Sequence, residues 1–415
     1  MNQNKSYDVI IIGAGISGLA AGIKLLNSGK KILVIEKSIE LGGKINSKLI
    51  DGFRIDNGFQ VLLTGYSETS KLLNMNKLDL SYFDTGALIW NGRKFNTISD
   101  PTRNISELKG SILSPIGNIE DKLRTLLLKL KLLNKSKEKI FSDKEITTKN
   151  YFIQKKYSKK FREIFLEPFF SGILLDAELQ TSSRFTEYIF KILSISRIAV
   201  PKNGIGSITK QLADQIPKNN IMVNSTVEHI LDGEIVLKNG VKIKFDHLIC
   251  ATDSKSMIKL FPKEKKVVKE YTSCTTHYFS SNNKINSLGK HADTKKIILN
   301  GSNTGFINNI AILSNIAKEY APNNKTLLAI TEIQSEHNKI SILNELQNWF
   351  PSDYKNFKYI ESIHIKNALP KMKTISNKKI YINKESIIFC GDYLSHPSIE
   401  GAVSSGIEAA NQLLE

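Results

Sequence analysis

The chain has 415 residues, 41% hydrophobic and 24% charged, a soluble-protein balance that excludes collagenous and disordered classes and predicts two domains or an interleaved pair. Cys250, Cys274 and Cys390 form no CxxC pair, which argues against a disulfide framework or cysteine metal site and fits a reducing, cytoplasmic compartment. The formal charge of +18 suits an anionic partner, but the lysines are dispersed and no nucleic-acid module can be read, so no nucleic-acid partner is expected.

The opening MNQNKSYDVIIIGAG has no basic region leading into an apolar stretch, so no signal peptide is expected. No run of about eighteen apolar residues occurs, so no transmembrane helix is expected either. Residues 7–12, YDVIII, read as a buried parallel strand. A glycine turn follows, then a helix through LAAGIKLLNSG closed by Gly29, then a second strand over 31–36, KILVIE. This is a βαβ unit.

Residues 104–165 read as helical and lysine-rich. Within them Leu123, Leu126, Leu127, Leu130 and Leu133 fall on one helical face, with Lys122, Arg124, Lys129 and Lys131 between them. Residues 220–250 alternate like strands with Asp-Gly and Asn-Gly turns, 272–335 mix strands and loops, and 338–350 read as a helix. The end is a strand through ESIIFCGD, a loop, and a terminal helix.

Gly13-Ala14-Gly15-Ile16-Ser17-Gly18 follows a strand and opens a helix. Gly13 permits the tight turn, Gly15 lets backbone approach a pyrophosphate, and Gly18 allows close helix–strand packing. The helix N-terminus supplies free N–H groups to the phosphates. Glu36 ends the second strand, where a carboxylate accepts from ribose hydroxyls and repels a 2′-phosphate. Gly204-Ile205-Gly206 lacks a third glycine, so one dinucleotide site is expected and no separate NAD(P)H domain.

Beyond this loop lie Gly42-Gly43-Lys44 and Asp56-Asn57-Gly58-Phe59-Gln60. Far downstream are Thr226-Val227-Glu228-His229-Ile230, then Cys250-Ala251-Thr252-Asp253, Cys390-Gly391-Asp392 and Ile399-Glu400-Gly401-Ala402. Taken in this order, the chain resembles the flavoprotein superfamily of amine oxidases, protoporphyrinogen oxidases and phytoene desaturases. The resemblance implies an α/β fold, with a Rossmann-type FAD-binding domain and an interleaved α+β substrate domain. It places the FAD-binding domain at 1–75, 200–255 and 379–415 and the substrate domain at 76–199 and 256–378.

Neither His396 nor Cys390 lies in an attachment motif, so the FAD is expected to be non-covalent, and no metal is expected. Cofactor contacts are expected at Gly13, Gly15, Ile16, Ser17, Gly18, Glu36, Lys37, Gly42, Gly43, Lys44, Gly58, Phe59 and Gln60. Val227, Ala251, Thr252, Gly391, Asp392, Ile399, Gly401 and Ala402 complete the set. Many members carry Arg where this chain has Lys44, which keeps the charge but loses the bidentate fork.

The reaction implied is hydride transfer from a C–H or C–N bond of a small, apolar substrate to flavin N5. Oxygen or a quinone would be the diffusible acceptor. His396, in the loop before the terminal helix, and Gln60 are the candidate acid–base groups. Ser398 stands where amine oxidases of this superfamily place a cage ring, which weakens the amine-oxidase alternative. A redox-neutral isomerase and a non-catalytic FAD-binding module remain as further alternatives. The leucine-rich basic helix fits either a packed surface helix or peripheral membrane contact.

Overall fold

The computed structural model describes residues 6–100, 103, 114–231, 233–264, 269–375 and 387–415. The expected boundary at 378–379 and the start of the helical region at 104–113 lie outside the described residues.

Strand β1 (Ser6–Ile12) runs between β2 (Ile32–Ile35) and β3 (Lys242–Cys250), parallel to both, with Val9 opposite Ile32 and His247. Its alternate residues serve two cores, as the period of two in a strand requires. Val9 and Ile11 pack with α1 (Ile16–Asn27) and the terminal helix α6 (Ile399–Gln412). Ile10 and Ile12 pack with Val227, Ile235 and Phe245 of the antiparallel hairpin region. Ile387–Phe389 adds a parallel strand to β3, and Ile221–Met222 adds one beside β2, giving a seven-stranded sheet. The helix over 16–27 ends as expected: Ser28 caps it and Gly29 takes φ +82°.

A second seven-stranded sheet is built around β4 (Cys274–Ser281), β5 (Ile307–Ile312) and β6 (Thr326–Ile333). One face is covered by the helix Lys339–Trp349, through Ile342, Leu346 and Trp349 packed on Phe279, Leu328 and Ile330. The other face looks toward the first lobe, where Tyr278, Ala311 and Ala329 meet Phe53, Ile55 and Phe83.

Helices α2 (Ser67–Leu72), α3 (Ile119–Leu133), α4 (Glu167–Leu174) and α5 (Ser183–Ile195) are among the other helices of the chain. A capping box starts α3: the Asn118 side chain accepts from Asp121 N–H at 2.7 Å, and the Asp121 carboxylate accepts from Asn118 N–H at 3.1 Å. The orientation of α3 is the surprise. It buries Asp121, Leu128 and Leu132, whereas Leu123, Leu127 and Leu130 are 53%, 56% and 50% exposed. The longer leucine stripe therefore faces outward, and a two-residue ridge makes the core contact.

Candidate functional site: a cavity between the two lobes

The glycine loop is shaped by two opposite requirements. Gly13 has φ +103°, and a Cβ there would lie 2.9 Å from the Ala251 carbonyl oxygen. A Cβ on Gly18 would lie 2.0 Å from the Gly13 carbonyl oxygen. Both positions close strand against helix. Gly15 is different: it is the N-cap of α1, in extended conformation, and a Cβ on it would meet nothing within 4 Å. No side chain caps α1 and no acidic residue sits in its first turn. Its leading N–H groups are thus free of side-chain partners, beside open space, which is the arrangement an anion needs.

Glu36 is 8% exposed and is held by this loop. One carboxylate oxygen accepts from Ala14 N–H and the other from Ser38 N–H, each at 2.9 Å. Each oxygen retains lone-pair capacity for a further donor. The Gly42–Gly43 doublet lies against the loop, with Gly42 N–H donating to the Ala14 carbonyl at 2.9 Å. Gly42 takes φ +107°, and a Cβ there would strike Thr209 and the Ile45 carbonyl.

Lys44 reaches across the cavity: its Nζ is 3.1 Å from the Ala368 carbonyl, 3.5 Å from Asp392 Oδ2 and 5.1 Å from the Tyr271 ring centre. Gln60 donates from Nε2 to the carbonyls of Lys44 (3.0 Å) and Asn57 (2.9 Å), so its amide nitrogen fastens the loop. Phe59 N–H donates to Thr276 Oγ1 at 3.1 Å, tying the same loop to β4.

Asp56, just upstream, is buried and acts as a strut. It accepts from Ser47 Oγ (2.6 Å), Ile205 N–H (3.0 Å) and Tyr320 Oη (2.8 Å), while Tyr278 Oη donates to its carbonyl at 2.9 Å. Burial pushes its carboxyl up to about 6 despite these donors.

These elements enclose one continuous cavity of about 850 Å³. Of the residues expected at the cofactor, all but Gly18 and Gly401 line it. Gly18 and Gly401 stand behind the wall, where a Cβ would overlap the carbonyls of Gly13 and His396 respectively. Ser398 caps α6, its Oγ accepting from Gly401 N–H at 3.0 Å.

His396 is also off the wall. It is 2% exposed, boxed by Phe141, Phe185 and Tyr188 with ring centres 5.9, 5.5 and 4.9 Å away, and its Nδ1 is 2.9 Å from Ser398 Oγ. Burial, with Lys137 nearby, holds its imidazole well below the usual histidine range. It faces packing rings, not the cavity.

The cavity continues between the sheet, at the strand Ile297–Asn300 beside β5 and β6, and helices α4 and α5, where Phe169, Ile173, Ile189, Leu193, Ile297 and Leu299 form an apolar arm. Ile189, Leu193, Ile297 and Leu299 carry no sequence signal for this arm, because they are ordinary core types and only the meeting of a remote sheet with two helices makes them a wall.

Residues 16–414 match the family described as "Flavin containing amine oxidoreductase". The chain belongs to that family. Its cofactor is FAD, and the family is one of flavin-dependent oxidoreductases acting on small molecules. The chain is 26% identical over 310 residues to 4,4'-diapolycopen-4-al dehydrogenase of Metabacillus indicus, covering 65% of this chain and 61% of the relative. It is 36% identical over 102 residues to chloroplastic prolycopene isomerase of Daucus carota, covering 25% of this chain and 15% of that protein.

The matches thus span about three fifths or less of these relatives' lengths. An oxidoreductase structure from Methanosarcina mazei superposes with a TM-score of 0.75 at 16% identity, covering 98% of this chain and 100% of that one, which confirms the fold. Among the described residues no helix is long and apolar enough to cross a membrane, and no cluster of three or more potential metal ligands occurs.

Proposed function

We propose that this family member binds FAD non-covalently in the inter-lobe cavity and oxidises or desaturates a small, apolar, isoprenoid-like molecule held in the apolar arm. The observation that carries the reading is the continuity of the cavity: the glycine-loop wall and the apolar arm line one space. The diapolycopenal and prolycopene names of two relatives support the substrate class.

In this reading Gly15 and the N-terminus of α1 hold the diphosphate, Glu36 the adenosine ribose, and the backbone at Val227 the adenine. The Gly58–Gln60 loop and the α6 N-terminus, with Ile399 and Ala402, adjoin the flavin. Bound FAD supplies a two-electron acceptor for substrate hydride. The chain's own contribution is to orient the substrate C–H bond and exclude water, both served by the apolar wall. Cys274 lines the cavity, but burial pushes its thiol up to about 11, so it is no ready thiolate for covalent attachment.

The outward leucine stripe of α3, with Lys131 beside it on the exposed side, supports contact with an anionic membrane interface through which apolar substrate arrives. Oxygen or a quinone is the proposed final acceptor.

Anaerobic titration of the flavin-loaded protein against carotenoid precursors, porphyrinogens and amines tests the chemistry. Bleaching by an apolar precursor is expected. Bleaching by amines alone would replace the reading with amine oxidation, and a flavin that converts substrate without net bleaching would replace it with isomerisation. Flotation with anionic vesicles tests the membrane contact, which absence of binding at low salt would refute.

A further inference from the structure

The direction of the Gln60 amide is fixed by its partners. Both N–H groups of Nε2 are taken, one by the Lys44 carbonyl at 3.0 Å and one by the Asn57 carbonyl at 2.9 Å. Carbonyls only accept, so turning the amide over would set oxygen against oxygen twice. Oε1 is therefore the outer end of a locked group and a pure acceptor. Among the described residues it has no hydrogen-bond partner, yet it stays accessible, unlike the sealed core atoms that also lack one. Gln60 is half-buried and lines the cavity.

Its place in the wall is a seam. On one side its amide nitrogen binds the backbone of Lys44, whose Nζ reaches Asp392 on the glycine-loop wall. On the other side the chain runs straight into Val61 and Leu63. Both line the cavity and pack in the cluster that holds Ile189 and Leu299 of the apolar arm. A substrate C–H bond held in the arm must meet flavin N5 at this same seam, because hydride is delivered there. The pyrimidine side of the ring, with its two carbonyls, suits instead the donor N–H groups at the α6 N-terminus.

We infer that Gln60 Oε1 is the hydrogen-bond acceptor for the N–H that reduced flavin carries at N5, and that it thereby raises the cofactor's reduction potential. This deepens, and rests on, the reading of the cavity as the joint site of FAD and an apolar substrate. Oxidised N5 offers a lone pair, which faces the oxygen with no hydrogen between them. Hydride from the substrate carbon oxidises that carbon, reduces the flavin and puts a hydrogen on N5, so the contact becomes a bond. An amide free to flip would serve the oxidised cofactor equally well through its NH2 end, and the Lys44 and Asn57 carbonyls prevent this.

The first test uses the natural protein, titrated in its flavin-free form with FAD and with 5-deaza-FAD, in which a C–H replaces the N5 lone pair. The 5-deaza cofactor should bind at least about twofold more tightly. The second test measures the potential of bound FAD against a reference dye. Gln60→Met, similar in length but without the amide, should reduce the preference for reduced over oxidised FAD by about two- to tenfold, the worth of one hydrogen bond. At about 30 mV per tenfold for a two-electron couple, the potential should fall by about 10–30 mV. Thr276→Val is the control for a loosened loop, since it removes the acceptor of Phe59 N–H and leaves the Gln60 amide in place. Its FAD affinity should fall with no change of potential.

Equal or weaker binding of 5-deaza-FAD by the natural protein overturns the inference alone. So does a potential that stays or rises in Gln60→Met, or an equal fall in Thr276→Val. Failure of the natural protein to take up FAD overturns the cavity reading and the inference with it.

Discussion

Glu400, in the first turn of α6, accepts hydrogen bonds from both the backbone N–H and the hydroxyl of Thr69 on α2, at 2.9 and 2.7 Å. Its other oxygen accepts from Glu68 N–H and Ser67 Oγ at 2.9 and 3.0 Å, and the residue is fully buried. The carboxylate thus caps α2 from another helix and fixes where α6 begins, which matters because Ile399 and Ala402 of that helix wall the cavity.

Replacing Glu400 with Gln puts an NH2 group against donors in a buried site. We expect Glu400→Gln to cost about 2–4 kcal/mol in urea unfolding, and Thr69→Val, which removes one donor, about 1 kcal/mol. FAD uptake should weaken more in the first variant than in the second. Equal, negligible losses would show that α6 is held by its apolar packing instead.

Asp56 sets a pH dependence of a less usual sign. Its carboxyl rises from 3.8 to about 6 on folding, so between those values the native protein binds more protons than the unfolded chain. Stability from this group is present below about pH 3.8 and is lost as pH climbs through about 6. The difference amounts to roughly 3 kcal/mol at about 1.4 kcal/mol per pKa unit. Asp56→Asn should flatten this fall, read as the difference in unfolding free energy between variant and natural protein from pH 4 to 7. A difference that does not vary with pH would refute the assignment.

The glycine loop separates folding from binding. Gly15 has ordinary φ and an open front, so Gly15→Ala should leave the apoprotein's stability within about 0.5 kcal/mol while weakening FAD uptake by about tenfold or more. Gly18→Ala forces a Cβ to 2.0 Å from the Gly13 carbonyl and should destabilise the apoprotein itself by about 1–3 kcal/mol. Thermal melts without FAD, paired with flavin titration, distinguish the two.

His396 should titrate stability and not catalysis. Its imidazole is depressed below 6.5 on folding, so the stability it contributes is present above about pH 6.5 and is lost on acidification. His396→Phe should reduce acid sensitivity below pH 6.5 and leave the pH profile of flavin reduction between pH 6.5 and 8 unshifted. Loss of a kinetic limb in that range would return His396 to an acid–base role.

Much of the glycine-loop wall of the cavity was legible in the chain alone, because its requirements are local. A tight turn, close backbone approach and a helix N-terminus within Gly13–Gly18 need specific residue types at fixed spacing, and Glu36 follows one strand later. The βαβ unit, the hairpins of 220–250 and the helix at 338–350 declared themselves by period and turn chemistry for the same reason.

What the tertiary structure decided depends on which remote elements meet. His396 and Gln60 carried the polar chemistry expected of acid–base groups, but packing sealed one among aromatic rings and committed the amide nitrogen of the other to loop carbonyls. The α3 leucines satisfied a core-facing pattern, yet the ridge of Leu128 and Leu132 won the buried side.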